Sequence, residues 1–386
     1  MMTSRDFFNA TESASQRCGF DTTQGGDAVS RDPTVLIHFY AAKNLGDDLF
    51  LLTLIDRYPN IRFLLRADDR SLLPGATRNN LEIMGPGVDD KESDIDVDCL
   101  CQIGGSIFIE PNGPGVLGFY RTVRMIARRK HLYSSAPHAF VLGANWGPCR
   151  HRFFYTAFKN LFRRVIDDIC FRDTASYELF KDLPNVRYAP DILFSLRLPV
   201  VEKRRSALFS VVDLSRKDKF GEISRWADTY FTWMTNAAEW LHQRGYAIVL
   251  SSFCEREGDE DAVNLLASRL SKRGVSCEKH LYRGDVEKAL YTISECEVVV
   301  ATRFHAMVLG IVSCARVLPV PYSMKTVNVL NDIGFSMDNV VDVSVVSSDD
   351  MSFCARVEAS CPLSVDSLKT SAEGHFRILD RFLIGR

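Results

Sequence analysis

Short apolar runs recur along this chain, each closing in a polar or glycine-containing turn, and helical periodicity fills the intervals between them. Val35-Leu36-Ile37-His38-Phe39-Tyr40 runs into Lys43-Asn44-Leu45-Gly46-Asp47-Asp48 and then a helical pattern over Leu49–Tyr58. Ile61–Leu65, Cys99–Ile103, Phe140–Leu142 and Ile166–Phe171 repeat the run and turn. A run that is apolar throughout, rather than alternating, fits a strand buried on both faces, which means a parallel sheet covered by crossover helices. A second series follows Leu198–Arg205, with strands over Ala207–Val212, Tyr246–Ser251, Cys296–Ala301 and Ala315–Pro319. Its helices cover Glu222–Arg244, Asp259–Lys272 and His305–Val312. The pattern predicts an α/β chain of two Rossmann-like, doubly wound domains with a cleft between them.

A length of 386 residues suits two domains at roughly 150 each. Residues 1–32 are polar and aperiodic and are expected to form a flexible tail; 33–200 and 201–345 are the two domains. Residues 346–386 are expected to be a helical segment, with a helix over Ser364–Arg386, packing back across both. Hydrophobic residues at 46% supply two cores without disulfides or a structural metal. The 11 cysteines are odd in number and mostly sit in apolar stretches, such as Cys170, Cys296 and Cys314, as buried thiols do. Cys99 and Cys101 share a strand face, but no second pair or nearby histidine completes a metal site, so no metal is expected. A net charge of -2 excludes a polycation built to coat nucleic acid. No apolar run reaches the 18 or so residues of a membrane span and the N-terminus lacks a signal-peptide core, which predicts a cytoplasmic protein.

In doubly wound sheets ligands bind beyond the carboxyl ends of the strands, so the strand-end loops are where chemistry is sought. After Val298–Val300 comes Ala301-Thr302-Arg303-Phe304-His305, placing Arg303 and His305 at a strand-to-helix turn. A guanidinium there grips phosphate or carboxylate, and a histidine exchanges protons near neutral pH. Ser215 and Arg216 follow the first strand of the second domain, and Arg172 and Asp173 follow Ile166–Phe171. Asp173 also reads as a helix cap. Gly104, Gly105 and Ser106 form a glycine turn that can meet a ligand with bare backbone. Neither a Walker A sequence nor a GxGxxG fingerprint is present, which removes support for triphosphate hydrolysis and ordinary dehydrogenase chemistry.

These residues, in this order over roughly residues 35 to 335, resemble the polysaccharide pyruvyl transferases. The resemblance rests on Asn44-Leu45-Gly46-Asp47-Asp48, Ile103-Gly104-Gly105-Ser106 and Gly143-Ala144-Asn145-Trp146-Gly147-Pro148. It continues through Arg172-Asp173 with Ser176, Asp191, Ser215-Arg216, Arg303-Phe304-His305 and Tyr322-Ser323-Met324-Lys325. The chain departs from the family in Phe304, where leucine is usual, and in Gln102-Ile103 before a glycine pair, where a glycine triplet is common. The resemblance implies a glycosyltransferase-B-like fold and transfer of a pyruvyl group from phosphoenolpyruvate to two sugar hydroxyls, forming a cyclic ketal and releasing phosphate. Phosphoenolpyruvate is then a co-substrate and no cofactor is expected. His305 is the expected general acid, with Arg303 and Arg216 stabilising the leaving phosphate and Ser215 and Lys325 completing the donor side. Asp47 and Asp48 either orient or deprotonate acceptor hydroxyls or cap the loop. Asn44, Gly104, Gly105, Ser106, Arg172 and Asp173 are expected on the acceptor side. A nucleotide-sugar glycosyltransferase and a non-catalytic glycan-binding protein on the same fold are the alternatives.

From Pro111 to Ile166 there is no acidic residue but ten lysines or arginines, within two amphipathic helical patterns, Tyr120–His131 and His151–Ile166. Such a surface suits an anionic bilayer at the inner face of the cell membrane, where a lipid-linked acceptor would lie. The other reading is that the aromatics pack inward and the basic face is solvated. No RNA-binding motif accompanies the stretch, and no nucleic-acid partner is expected.

Overall fold

The computed structural model describes residues 33–67, 69–74, 78–85, 96–113, 115–217 and 223–385; the expected tail, 1–32, lies outside them. The described chain is organised by two wholly parallel sheets. The first comprises β1 (Thr34–His38), β2 (Arg62–Arg66), β3 (Leu81–Met84), β4 (Cys99–Ile103), β5 (His138–Ala144), β6 (Asp168–Phe171) and β7 (Val186–Tyr188), in spatial order β3-β2-β1-β4-β5-β6-β7. The second comprises β8 (Arg204–Ser210), β9 (Ala247–Ser251), β10 (Cys277–His280), β11 (Cys296–Ala301) and β12 (Arg316–Pro319), in order β10-β9-β8-β11-β12. Each sheet reverses its winding once, between β1 and β4 and between β8 and β11. These are the switch points at which a doubly wound sheet opens a crevice for ligand.

Helices α1 (Leu45–Arg57), α2 (Gly115–Tyr133), α3 (Arg152–Val165) and α4 (Thr174–Phe180) belong to the first sheet. The second carries α5 (Leu214–Lys217), α6 (Ala227–His242), α7 (Asp259–Ser271), α8 (Val286–Glu295), α9 (Phe304–Val312) and α10 (Met324–Asp332). The central strands are buried along nearly their whole length, which is why their runs read as mostly apolar sequence. The strands missing from the sequence expectation, β3, β7 and β10, lie at sheet edges. They alternate with polar residues such as Glu82, Arg187, Glu278 and Lys279, so they carry no apolar run to find.

The C-terminal segment forms α11 (Ser352–Ala359), α12 (Asp366–Ala372) and α13 (Arg377–Ile384), so the single helix expected over Ser364–Arg386 is broken by a turn at Glu373–Phe376. Residues around α11 bond to the second half, through Trp233 to the carbonyl of Asp350 and Arg316 to that of Glu358. α13 packs on the first half: Phe382 meets Phe140 with ring centroids 5.2 Å apart. Asp380 there accepts from both Arg57 Nε (2.9 Å) and the Tyr58 hydroxyl (2.8 Å).

Of the two readings of the basic stretch, the inward one holds for most of the α3 aromatics: Phe154, Phe158 and Phe162 are fully buried in a cluster with Phe108, Trp146, Phe171 and Phe180, while Phe153 stays exposed. One further expectation needs correction. Cys314 is exposed, unlike the buried Cys170 and Cys296, because it ends the turn after α9 at φ 56° rather than continuing an apolar element. Among the described residues no helix is long and apolar enough to cross a membrane.

Candidate functional site

The loops at the two switch points meet. Asn44, which caps α1 by accepting from the Gly46 amide, forms an antiparallel bridge with Cys254, and the Leu45 amide donates to the Phe253 carbonyl. Lys325 in the first turn of α10 donates to the Ser106 hydroxyl at 3.1 Å, again joining loops of the two sheets. Glycine makes the closest approaches possible. A Cβ on Gly46 would lie 1.6 Å from Nδ1 of His305, and one on Gly105 would lie 2.5 Å from the guanidinium carbon of Arg172. Gly104, beside Asp47, is required by its backbone, at φ 149°, rather than by space.

His305 sits in the first turn of α9, wedged edge-on against Phe50 (centroids 5.1 Å apart) and Phe304. Its Nε2 is 3.4 Å from Nη1 of Arg172 and 4.0 Å from Oδ2 of Asp191. A guanidinium only donates, so Nε2 holds the lone pair and Nδ1, over Gly46, carries the proton. Burial first, then the charges of Arg172, Lys325 and Arg303, hold the imidazole well below its ordinary pKa, so it is neutral at pH 7. Arg172 is buried, stacks 4.0 Å over Phe304, and donates to Asp191 (3.0 Å) and Asn145 (2.8 Å). It was expected on the acceptor side and stands instead at the centre, touching the second domain's histidine.

Asp47 lies in the first turn of α1. Burial pushes its pKa up to about 7, against the lowering pull of Arg172, Lys325 and Arg303, with Glu257 adding to the rise. Asp47 and His305, from opposite halves, thus feel the same three cations. Asp48 does not share that position: it is fully buried and its Oδ2 accepts from the hydroxyl of Tyr282. Its carboxyl is also pushed up to about 7, burial being the first cause, and it acts as a tie between the halves.

Arg303 departs from the expected anion grip. Its Nε donates to Asp259 at 2.8 Å, Nη2 to the same carboxylate and Nη1 to Glu257. Asp259 is itself fixed by the Phe253 and Cys254 amides, each at 3.0 Å. Arg303 therefore anchors the loop over residues 253–259 beside the cleft, with its charge already matched. Arg216 reaches the same loop, packed against Gly258, but it is half-exposed and pairs with Asp261 (2.7 Å) and Asp213, while the Ser215 hydroxyl turns back to Asp213. Asp173 caps α4, accepting from both the amide and the hydroxyl of Ser176, and that is its structural role.

Of the residues expected from sequence, the fold brings Asn44, Asp47, Gly104, Gly105, Ser106, Arg172, Arg303, His305 and Lys325 to one cleft, and leaves Asp48, Asp173, Ser215 and Arg216 outside its centre. The sequence reading gave no role to Glu257, Asp259 or Tyr282, whose partners are distant in sequence, and no local pattern marks them. Among the described residues no group of three or more His, Cys, Asp or Glu side chains gathers as a metal site.

Comparison with known proteins gives the same direction. The family model described as polysaccharide pyruvyl transferase matches residues 38–324. No curated protein matches the sequence. Anabaena HepE in complex with UDP is similar in structure at TM-score 0.51 and 11% identity, over 92% of this chain and 100% of that one. UDP-GlcNAc 2-epimerase from Methanocaldococcus jannaschii is similar at TM-score 0.51 and 10% identity, over 90% of this chain and 98% of that one. The two facing doubly wound sheets are a glycosyltransferase-B-like fold.

Proposed function

Because the chain belongs to the polysaccharide pyruvyl transferase family, we propose that it moves the pyruvyl group of phosphoenolpyruvate onto two hydroxyls of a sugar, in a polysaccharide or its lipid-linked precursor. The product is a cyclic ketal and phosphate leaves; phosphoenolpyruvate is the co-substrate and no other cofactor takes part. The observation that carries this reading is the convergence of two proton-exchanging groups, Asp47 and His305, on Arg172, Lys325 and Arg303 in the interdomain cleft.

The protonation states exchange the roles expected from sequence. His305 is neutral and so accepts protons; Asp47, with a pKa of about 7, is the group that holds one to give. Asp47 delivers its proton to the methylene carbon of phosphoenolpyruvate, which becomes a methyl group and leaves C2 electron-poor. A first sugar hydroxyl adds to C2 and passes its proton to His305. The C2–O bond to phosphate then breaks, the second hydroxyl adds, and its proton restores Asp47 while that on His305 leaves with phosphate. Arg172 and Lys325 offer the charge that the carboxylate and phosphate require. A polyanion held there raises both pKa values, keeping Asp47 protonated and making His305 a better base.

Thermal unfolding with candidate ligands tests the donor. Phosphoenolpyruvate is expected to raise Tm, and nucleotide sugars are expected to leave it unchanged. Stabilisation by a nucleotide sugar and not by phosphoenolpyruvate would overturn the assignment of donor.

A further inference from the structure

Helix α2 meets the rest of the protein along a narrow stripe, with only Gly118, Thr122 and Tyr133 buried. Its first turns instead present hydrocarbon to solvent: Val116 is 86% exposed, Leu117 47%, Phe119 59% and Tyr120 58%. Phe153, from the start of α3, is 48% exposed and extends this patch, its ring 5.5 Å from that of Phe119. Large side chains grouped in this way mark an interaction surface, whereas single exposed ones need no explanation.

The next turns of α2 are cationic. Arg121, Arg124 and Arg128, spaced three and four residues apart, share a face with Arg129 and line, with His38, a cavity of about 540 Å³. Arg121 and Arg129 donate to the backbone carbonyls of Asn112 and Ile107. None of the four pairs with a carboxylate among the described residues, in contrast to Arg57, Arg187 and Arg303. Their own stretch offers no local partner, since residues 111–166 contain no Asp or Glu.

An apolar patch contiguous with an arginine-lined cavity needs an occupant with hydrocarbon and phosphate side by side. A second copy of the chain would set these cations against each other, and a nucleic acid would leave Val116 and Leu117 unmatched. We propose that the N-terminal half of α2, with Phe153, docks on an anionic phospholipid bilayer. Phe119, Tyr120, Val116 and Leu117 enter the headgroup–acyl boundary and lipid phosphates seat in the cavity lined by Arg121, Arg124, Arg128 and Arg129. Because His38 ends β1 and Arg129 is tied to Ile107 just after Ser106, docking sets the carboxyl end of the first sheet near the lipid headgroups.

Co-sedimentation of the full chain with vesicles tests the proposal. Binding is expected to phosphatidylcholine vesicles containing phosphatidylglycerol, at least tenfold stronger than to phosphatidylcholine alone, and to weaken as salt is raised. Arg124→Glu with Arg128→Glu, and separately Phe119→Ser with Tyr120→Ser, are each expected to weaken it at least tenfold while circular dichroism stays unchanged. Equal binding to neutral and anionic vesicles, or wild-type binding by both double variants, would overturn the proposal. So would binding of inorganic diphosphate that depends on Arg124 and Arg128 without any vesicle binding, since the cavity would then serve a soluble anion. The readout is independent of pyruvyl transfer, so it stands or falls apart from that reading.

Discussion

At the residue scale the site depends on what is left out as much as on what is present. Gly46 and Gly105 carry no side chain, and the imidazole of His305 and the guanidinium of Arg172 occupy the space. Gly46→Ala must therefore displace His305. A drop of about hundredfold in kcat/KM is expected, with circular dichroism unchanged, since a misplacement near 1 Å can cost that much. Asp47 provides the pH test. The proposed acid must be protonated, so kcat/KM falls as pH rises through about 7, and Asp47→Asn abolishes turnover. The same group shapes stability. Its folded pKa is raised from 3.8 to about 7, so between those values the native state holds more protons than the unfolded chain, and stability declines as pH rises through that window. Asp47→Asn removes the group's share of this decline, and thermal melts across the window should show a higher Tm than wild type at mildly alkaline pH. A variant that is more stable and yet inactive is what a strained catalytic carboxyl predicts.

At the scale of elements, the sequence was most legible where strands are central. Cys99–Ile103 and Cys296–Ala301 are read to the residue because burial on both faces writes itself as a dominantly apolar run, interrupted only by Gln102 and Glu297. Edge strands such as Cys277–His280 share a face with solvent and leave no such trace. The strand-end loops were legible too, as glycine, asparagine and charged residues following apolar runs. What the sequence does not carry is which charge meets which: Arg303 reads as a free anion grip until Asp259 and Glu257 fold against it from the start of α7. The inward face of α3 shows the same limit, since aromatics interleaved with arginines fit a bilayer or a core equally well. The C-terminal helix α13 supplies a prediction at this scale. Asp380→Ala leaves the Arg57 guanidinium and the Tyr58 hydroxyl without their shared acceptor, at a cost of about 1–3 kcal/mol, read as a shift in the urea midpoint with an unchanged m-value.

For the whole molecule, a net charge of -2 describes neither of the two places where charge acts. The cleft is built from matched pairs, Arg172 with Asp191 and Arg303 with Asp259, with proton-exchanging Asp47 and His305 between them. The outer face of α2 holds arginines that pair with no carboxylate among the described residues, beside exposed hydrocarbon. The two halves are joined at the cleft itself, by Asn44 with Cys254, Asp48 with Tyr282 and Lys325 with Ser106, so the groups of the proposed reaction are held by contacts that neither half makes alone. Incubation of the protein with phosphoenolpyruvate and a panel of saccharides, following phosphate release and product mass, tests the central proposal most directly. The expected result is one phosphate released per saccharide heavier by one pyruvate less one water, lost in both Asp47→Asn and His305→Ala. Phosphate release without a heavier saccharide, or unchanged turnover in those variants, would contradict it.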